Sequence, residues 1–162
     1  MMRIQIFYAK SCERYVRGVC KELEEVYALR CFSNDVLEVI PPAYSAQRSQ
    51  YDAASLLEYM SRMKQADIAL WLVDKDIYAK NTAFVFGYAA KNYGAVLSVY
   101  RLKSEDLILK EALHEVGHII GLSHCENRCF MRFSNCLEDI RMKPVRLCDS
   151  CTEACKRLVQ VG

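Results

Sequence analysis

Histidine is scarce in this chain. Its 162 residues hold three, His114, His118 and His124, and the sequence contains only six glycines, three prolines and one tryptophan. So little glycine and proline excludes collagen-like, low-complexity and linker-dominated chains. Charge of one sign is also missing. A net charge of +2 gives no electrostatic footprint for nucleic acid, and no block of Lys and Arg interleaved with aromatics supplies one locally. No apolar run is long enough to cross a bilayer. The opening stretch, "MMRIQIFYAKSCERYV", holds an apolar run of about six residues flanked by charge, too short for a signal-peptide core. The reading is a cytoplasmic protein with no membrane partner and no nucleic-acid partner, acting as a monomer.

What is present is a 52% hydrophobic, 26% charged chain, long enough to bury a core of its own. Nine cysteines would build a disulfide framework in a secreted chain. In a reducing compartment they are free thiols or metal ligands. Residues 3–9, "RIQIFYA", read as a strand, and 13–29 as an amphipathic helix with Tyr15, Val16, Val19, Leu23, Val26 and Tyr27 on one face. A second strand is expected at 36–40, a second helix at 51–66, and a central strand at 67–74, where "DIALWLVD" is apolar on both faces. Strands at 83–89 and 95–102 complete a sheet. No repeat or linker divides the chain.

Ser104 is a helix N-cap with Glu105 and Asp106 in the first turn, so "LILKEALHEVGHII" reads as a long, mostly buried helix that stops at Gly121. On it His114 and His118 stand one turn apart on one face. Two imidazoles at that spacing can share one Zn²⁺, with Glu115 able to serve a water without being a ligand. The HExxH pattern alone is weak. Here Gly121 turns the chain and His124 follows as a third nitrogen ligand, which leaves a zinc coordination position open, the mark of a catalytic site. The expected chemistry is hydrolysis of a peptide bond, with zinc polarising the carbonyl and Glu115 taking and then delivering a proton. The residue that would help stabilise the oxyanion stays open among ten tyrosines. Gly117, mid-helix, points to close packing against that face.

Cys148-x-x-Cys151 is a strong zinc signal by itself. Together "HEVGHIIGLSH", the following "HC…C-F-M" and the later "C-D-S-C" resemble the archaemetzincin family of zinc metallopeptidases, with further similarity in "MRFSN" and, more loosely, "NTAFVFG". The resemblance covers roughly residues 81–151. It implies a catalytic zinc on His114, His118 and His124 and a structural zinc on Cys125, Cys129, Cys148 and Cys151, hence two Zn²⁺ per chain. It also implies that Met131 forms the turn beneath the catalytic site. Two intervals, Cys125 to Cys129 and Met131 to Cys148, are each one residue shorter than the family pattern. Cys136 and Cys155 therefore stay open as alternative ligands, while Cys12, Cys20 and Cys31 read as free thiols.

The fold class expected is α+β, of α/β type: a zincin-like mixed twisted sheet with flanking helices, a long active-site helix and a small zinc-stabilised C-terminal subdomain. The whole chain, 1–162, forms one catalytic domain, with an N-terminal subdomain over 1–121 and a C-terminal one over 122–162. The function expected is a zinc-dependent metallopeptidase acting on a peptide or protein substrate with Glu115 as general base. The alternative is a non-catalytic, zinc-stabilised peptide-binding or regulatory protein. A general base at position 115 favours the enzyme, since a binding module has no need of one.

Overall fold

The computed structural model describes residues 1–160; Val161 and Gly162, at the end of the expected C-terminal subdomain, lie outside the described residues. In chain order the elements are β1 (Arg3–Tyr8), α1 (Glu13–Tyr27), β2 (Arg30–Val36), β3 (Tyr44–Ser45), β4 (Gln50–Asp52), α2 (Ala53–Met63), β5 (Ile68–Val73), β6 (Ile77–Tyr78), β7 (Gly87–Ala90), β8 (Gly94–Ser98), α3 (Glu105–Ile120), α4 (Leu137–Met142) and α5 (Asp149–Gln160). The main sheet has the order β2-β1-β5-β8-β7, and a small one has β3-β4-β6. Parallel pairing joins β2, β1, β5 and β8, while β7 runs antiparallel to β8 at the edge. This is the mixed sheet with flanking helices that the sequence leads one to expect.

β5 shows why the sheet lies inside. All six of its residues are buried, as a strand covered on both faces requires. Ile68, Leu70 and Leu72 join one core with α1 and α3, and Ala69, Trp71 and Val73 join the other with α2. Successive side chains point to opposite faces, so a single strand divides its residues between two cores. The buried face of α1 is Tyr15, Val16, Val19, Leu23 and Tyr27. That helix ends where Ala28 turns left-handed at φ 54° and donates its N–H to Glu24 O.

Three strands differ from expectation, and of these β8 ends at Ser98, short of the expected 95–102. The second strand is Arg30–Val36, and the apolar run 36–40 that pointed to it lies just beyond. β2 is an edge strand and needs no apolar run. Leu37, Val39 and Ile40 cover the second core from a loop instead, where Leu37 O accepts from Trp71 Nε1 at 2.8 Å. Likewise the strand expected at 83–89 enters the ladder only from Gly87 and runs on to Ala90. Phe84 to Phe86 run alongside, tied through Phe86 O, which accepts from Ser98 N at 2.8 Å. The small sheet and the helices α4 and α5 have no counterpart in the sequence reading.

α3 behaves as the caps dictate. Ser104 Oγ accepts from Leu107 N at 3.4 Å, and Gly121 takes φ 120° just past the last turn. Most of α3 is buried, including Glu111, His114 and Glu115. Its packing against α1, β7 and β8 fixes the face that carries the histidines.

Candidate active site

α3 presents His114 and His118 on one face with their Nε2 atoms 3.1 Å apart. The turn at Gly121 brings back His124, whose ring lies 4.7 Å from that of His118 and 5.4 Å from that of His114. The ligating nitrogens of the three all lie within 4.8 Å of one another. Tautomers follow from the hydrogen bonds. Nδ1 of His114 sits 2.8 Å from Phe130 O, and Nδ1 of His118 sits 2.8 Å from Leu122 O. A carbonyl can only accept, so each Nδ1 carries the proton and each Nε2 keeps its lone pair. Tetrahedral zinc with bonds of about 2.0–2.1 Å sets its nitrogens roughly 3.3 Å apart, so the His114–His118 pair fits such an ion.

The three rings face a cleft of about 450 Å³ walled by residues 82–89 on one side and by Phe133, Ser134 and Asn135 on the other. Glu115 lines the same cleft, with its carboxyl packed on bare backbone: a Cβ at Gly87 would lie 2.5 Å from Glu115 Cδ. Burial, with Glu111 nearby, pushes the Glu115 carboxyl up to about 8. Burial, helped by Lys143 and His118, pulls His114 down to about 2, which keeps its imidazole neutral. A neutral imidazole is the form that binds metal.

Beneath the histidines lies a buried ion pair that sequence reasoning missed. Lys143 Nζ is 3.1 Å from Glu111 Oε1 and 3.4 Å from His114 Nδ1, with both side chains almost wholly enclosed. Burial raises the Glu111 carboxyl even though the Lys143 ammonium opposes it. Position 111 was open to discovery, being one turn before Glu115 on the same helical face. Nothing in sequence ties Lys143 to it. Met131 lies fully buried under α3, and a Cβ at Gly117 would strike Met131 Sδ and, at 2.7 Å, Tyr27 Oη. The mid-helix glycine is thus explained by close packing.

A second cluster adjoins the first. Cys125, Cys129, Cys148 and Cys151 bring their sulfurs within 4.8 Å of one another, and Cys125 Sγ stands 3.7 Å from Cys148 Sγ. Tetrahedral zinc with bonds of about 2.3 Å sets its sulfurs roughly 3.8 Å apart, so this pair fits as well. Backbone N–H groups point at the sulfurs: Cys148 N donates to Cys129 Sγ at 3.3 Å and Asn127 N to Cys125 Sγ at 3.4 Å. The Ser150 hydroxyl leads the contacts that hold the Cys148 thiol down to about 6, toward the thiolate a metal takes. Cys136 is exposed at the start of α4 and Cys155 is buried against the core, and neither joins the set. The clusters are wired together, since Cys125 follows His124 and Cys129 precedes Phe130, whose carbonyl orients His114.

A helix-borne histidine pair with a third histidine after a glycine turn, beside a buried glutamate in a cleft, defines a zinc metallopeptidase of the metzincin kind. Comparison with known proteins narrows this. Residues 1–157 match the model of Peptidase family M54, and the chain belongs to that family. The archaemetzincin of Archaeoglobus fulgidus is 38% identical over 157 residues, covering 93% of this chain and 96% of its own. That of Nanoarchaeum equitans is 39% identical over 133 residues, covering 82% and 78%. Among solved structures, the archaemetzincin of Methanopyrus kandleri superposes with a TM-score of 0.90 at 31% identity, covering 98% of this chain and 96% of its own. The A. fulgidus protein, solved in complex with malonate, gives 0.85 at 36%, covering 94% and 99%.

Proposed function

We propose that this zinc metallopeptidase hydrolyses peptide bonds with Glu115 as the proton-transferring group. In this reading His114, His118 and His124 hold a catalytic zinc, while Cys125, Cys129, Cys148 and Cys151 hold a structural one, two per chain. The observation that carries it is the convergence of three imidazoles and one carboxyl on a single cleft. When bound, zinc would supply a Lewis acid able to polarise a carbonyl and to lower the pKa of water to about 7.

The remaining work falls to the chain's own side chains. Phe130 O and Leu122 O fix the orientation of the His114 and His118 rings and so aim both Nε2 atoms at one point. Glu115, held against Gly87 and favoured in its ionised form by a cation on the three histidines, takes the proton of the attacking water at a carboxylate oxygen and gives it to the leaving amine nitrogen. Edge strand β7 and Phe133 flank the cleft, giving an extended peptide a place to lie. Residues 1–121 then act as the subdomain carrying sheet and helix, and 122–162 as the one that returns His124 and Met131 to it.

A peptide library incubated with zinc-loaded protein tests the reading, with Glu115→Gln as control. Cleavage by wild type that disappears in a folded, zinc-loaded Glu115→Gln protein is the expected result. Cleavage that persists would remove Glu115 from its role, and a wild type that binds library peptides without cleaving any would favour a binding function for the cleft.

A further inference from the structure

Away from the cleft, the packing of α1 on β2 brings two partly exposed cysteines together. Cys20 Sγ donates to Asn34 Oδ1 at 3.4 Å, across to the strand that carries Cys31. The Cys31 backbone N–H donates to Glu24 Oε1 at 3.1 Å, one turn further along the helix that carries Cys20. Both thiols line one surface groove of about 600 Å³ beside Arg17 and Lys21. Among the described residues, the converging sets of three or more ligating side chains include neither, so this corner is not a metal cluster.

We propose that Cys20 and Cys31 form a reversible dithiol–disulfide site that reacts with peroxides. In the first step the Cys20 thiolate attacks a peroxide oxygen. The S–O bond forms as the O–O bond breaks, and the departing oxygen picks up a proton to leave as water or an alcohol. Cys31, having given up its proton, then attacks Cys20 Sγ. The S–S bond forms, the S–O bond breaks, and hydroxide leaves with a proton as a second water. Two thiols lose two electrons and two protons in all, and one peroxide is reduced.

The contacts divide the roles. The neighbouring Cys31 thiol is the largest influence on Cys20 and draws its thiol down, favouring the thiolate that attacks. The same contact, with burial and Glu24, pushes Cys31 up, as suits the partner that resolves. The bond would close the stretch 20–31, which includes Tyr27. Tyr27 Oη donates to Leu113 O at 2.6 Å, next to His114, so the disulfide braces a support of the catalytic helix.

The site is read by mass spectrometry on intact, zinc-loaded protein, whose four-cysteine cluster is then protected. The protein is treated with stoichiometric hydrogen peroxide, its remaining thiols are alkylated, and it is digested with trypsin. Cleavage after Arg17, Lys21, Arg30 and Arg48 isolates Cys20 in peptide 18–21 and Cys31 in peptide 31–48. Expected is a species equal to the two peptides less two hydrogens that vanishes on reduction, and an oxidised wild type with a higher thermal midpoint than Cys31→Ser treated alike. In Cys31→Ser, which removes the resolving sulfur, Cys20 should be captured by dimedone as the sulfenic acid. Recovery of both cysteines alkylated, or of either joined to a different cysteine, overturns the proposal. An unchanged midpoint in a protein that carries the cross-link overturns the bracing role.

Discussion

Glu115 and Gly87 form one unit at the residue scale, because the carboxyl occupies the space a side chain at 87 would fill. Glu115→Gln should keep fold and zinc content while peptide hydrolysis falls by about 10² to 10⁴, the range proton transfer contributes; rates and elemental analysis on one preparation check this. Gly87→Ala should displace the same carboxyl and lower the rate on the order of 10²-fold with zinc retained, since small misplacements of a reacting group are costly. If the alanine variant also loses zinc, the displacement has reached the histidines instead. Lys143 makes a different kind of claim. Lys143→Met would leave Glu111 buried without its partner, a loss of about 3–5 kcal/mol in stability, readable by denaturant unfolding. Adding Glu111→Leu to it should recover much of that loss, because an apolar pair in place of a buried ion pair is often neutral.

At the element scale the loop from Leu122 to Met131 belongs to both clusters. It ends α3, orients His118 through Leu122 O, carries His124 and Cys125, and reaches back to His114 through Phe130 O. Cys125 N donates to Met131 O at 3.0 Å and so closes the loop on itself. Damage to the cysteine cluster should therefore weaken the histidine cluster. A Cys148→Ser protein that stays folded should hold its catalytic zinc more weakly in chelator competition, and Cys129→Ser should reproduce the defect. Cys136→Ser and Cys155→Ser should not, since neither sulfur joins the set. An unchanged affinity in Cys148→Ser would show that α3 and Leu122 hold the site unaided.

At the scale of the whole molecule, two ligand sets that share no residue lead to an expected content of two zinc ions per chain, measured after removal of adventitious metal. A content of one would leave a cluster without its metal. Acid stability has a separate anchor. Arg101 grips Asp76 with two hydrogen bonds of 2.8 Å, and Gln50 adds one of 3.0 Å, joining the small sheet to the loop after β8. Burial pushes the Asp76 carboxyl up, yet the bonds from Arg101 and Gln50 outweigh it and hold it below the usual range. A depressed carboxylate stabilises the fold above its unfolded pKa of about 3.9, and that stability goes as pH falls through the folded value. Asp76→Asn should thus be less stable than wild type at neutral pH by about 1–2 kcal/mol, discounted for the exposed flank of Arg101, and the gap should close in strong acid.

The zinc chemistry was legible in the sequence because it is local. His114, Glu115 and His118 owe their relation to the helical period, Gly121 to its tolerance of positive φ, and Cys148 and Cys151 to a two-residue spacer, all fixed within a few bonds of backbone. The helices α1, α2 and α3 and the buried strand β5 were legible for the same reason, since each writes its burial as a period. Tertiary structure decided what depends on distant partners. An edge strand such as β2 carries no strong apolar pattern, and 36–40 pointed to the wrong segment because burial under a loop looks the same as burial in a ladder. No period links Lys143 to Glu111, Phe130 O to His114 or Gly87 to Glu115. Those meetings exist only once α1, β7 and the C-terminal segment pack around α3, because the burial that drives that packing is not directional and leaves no spacing in the chain.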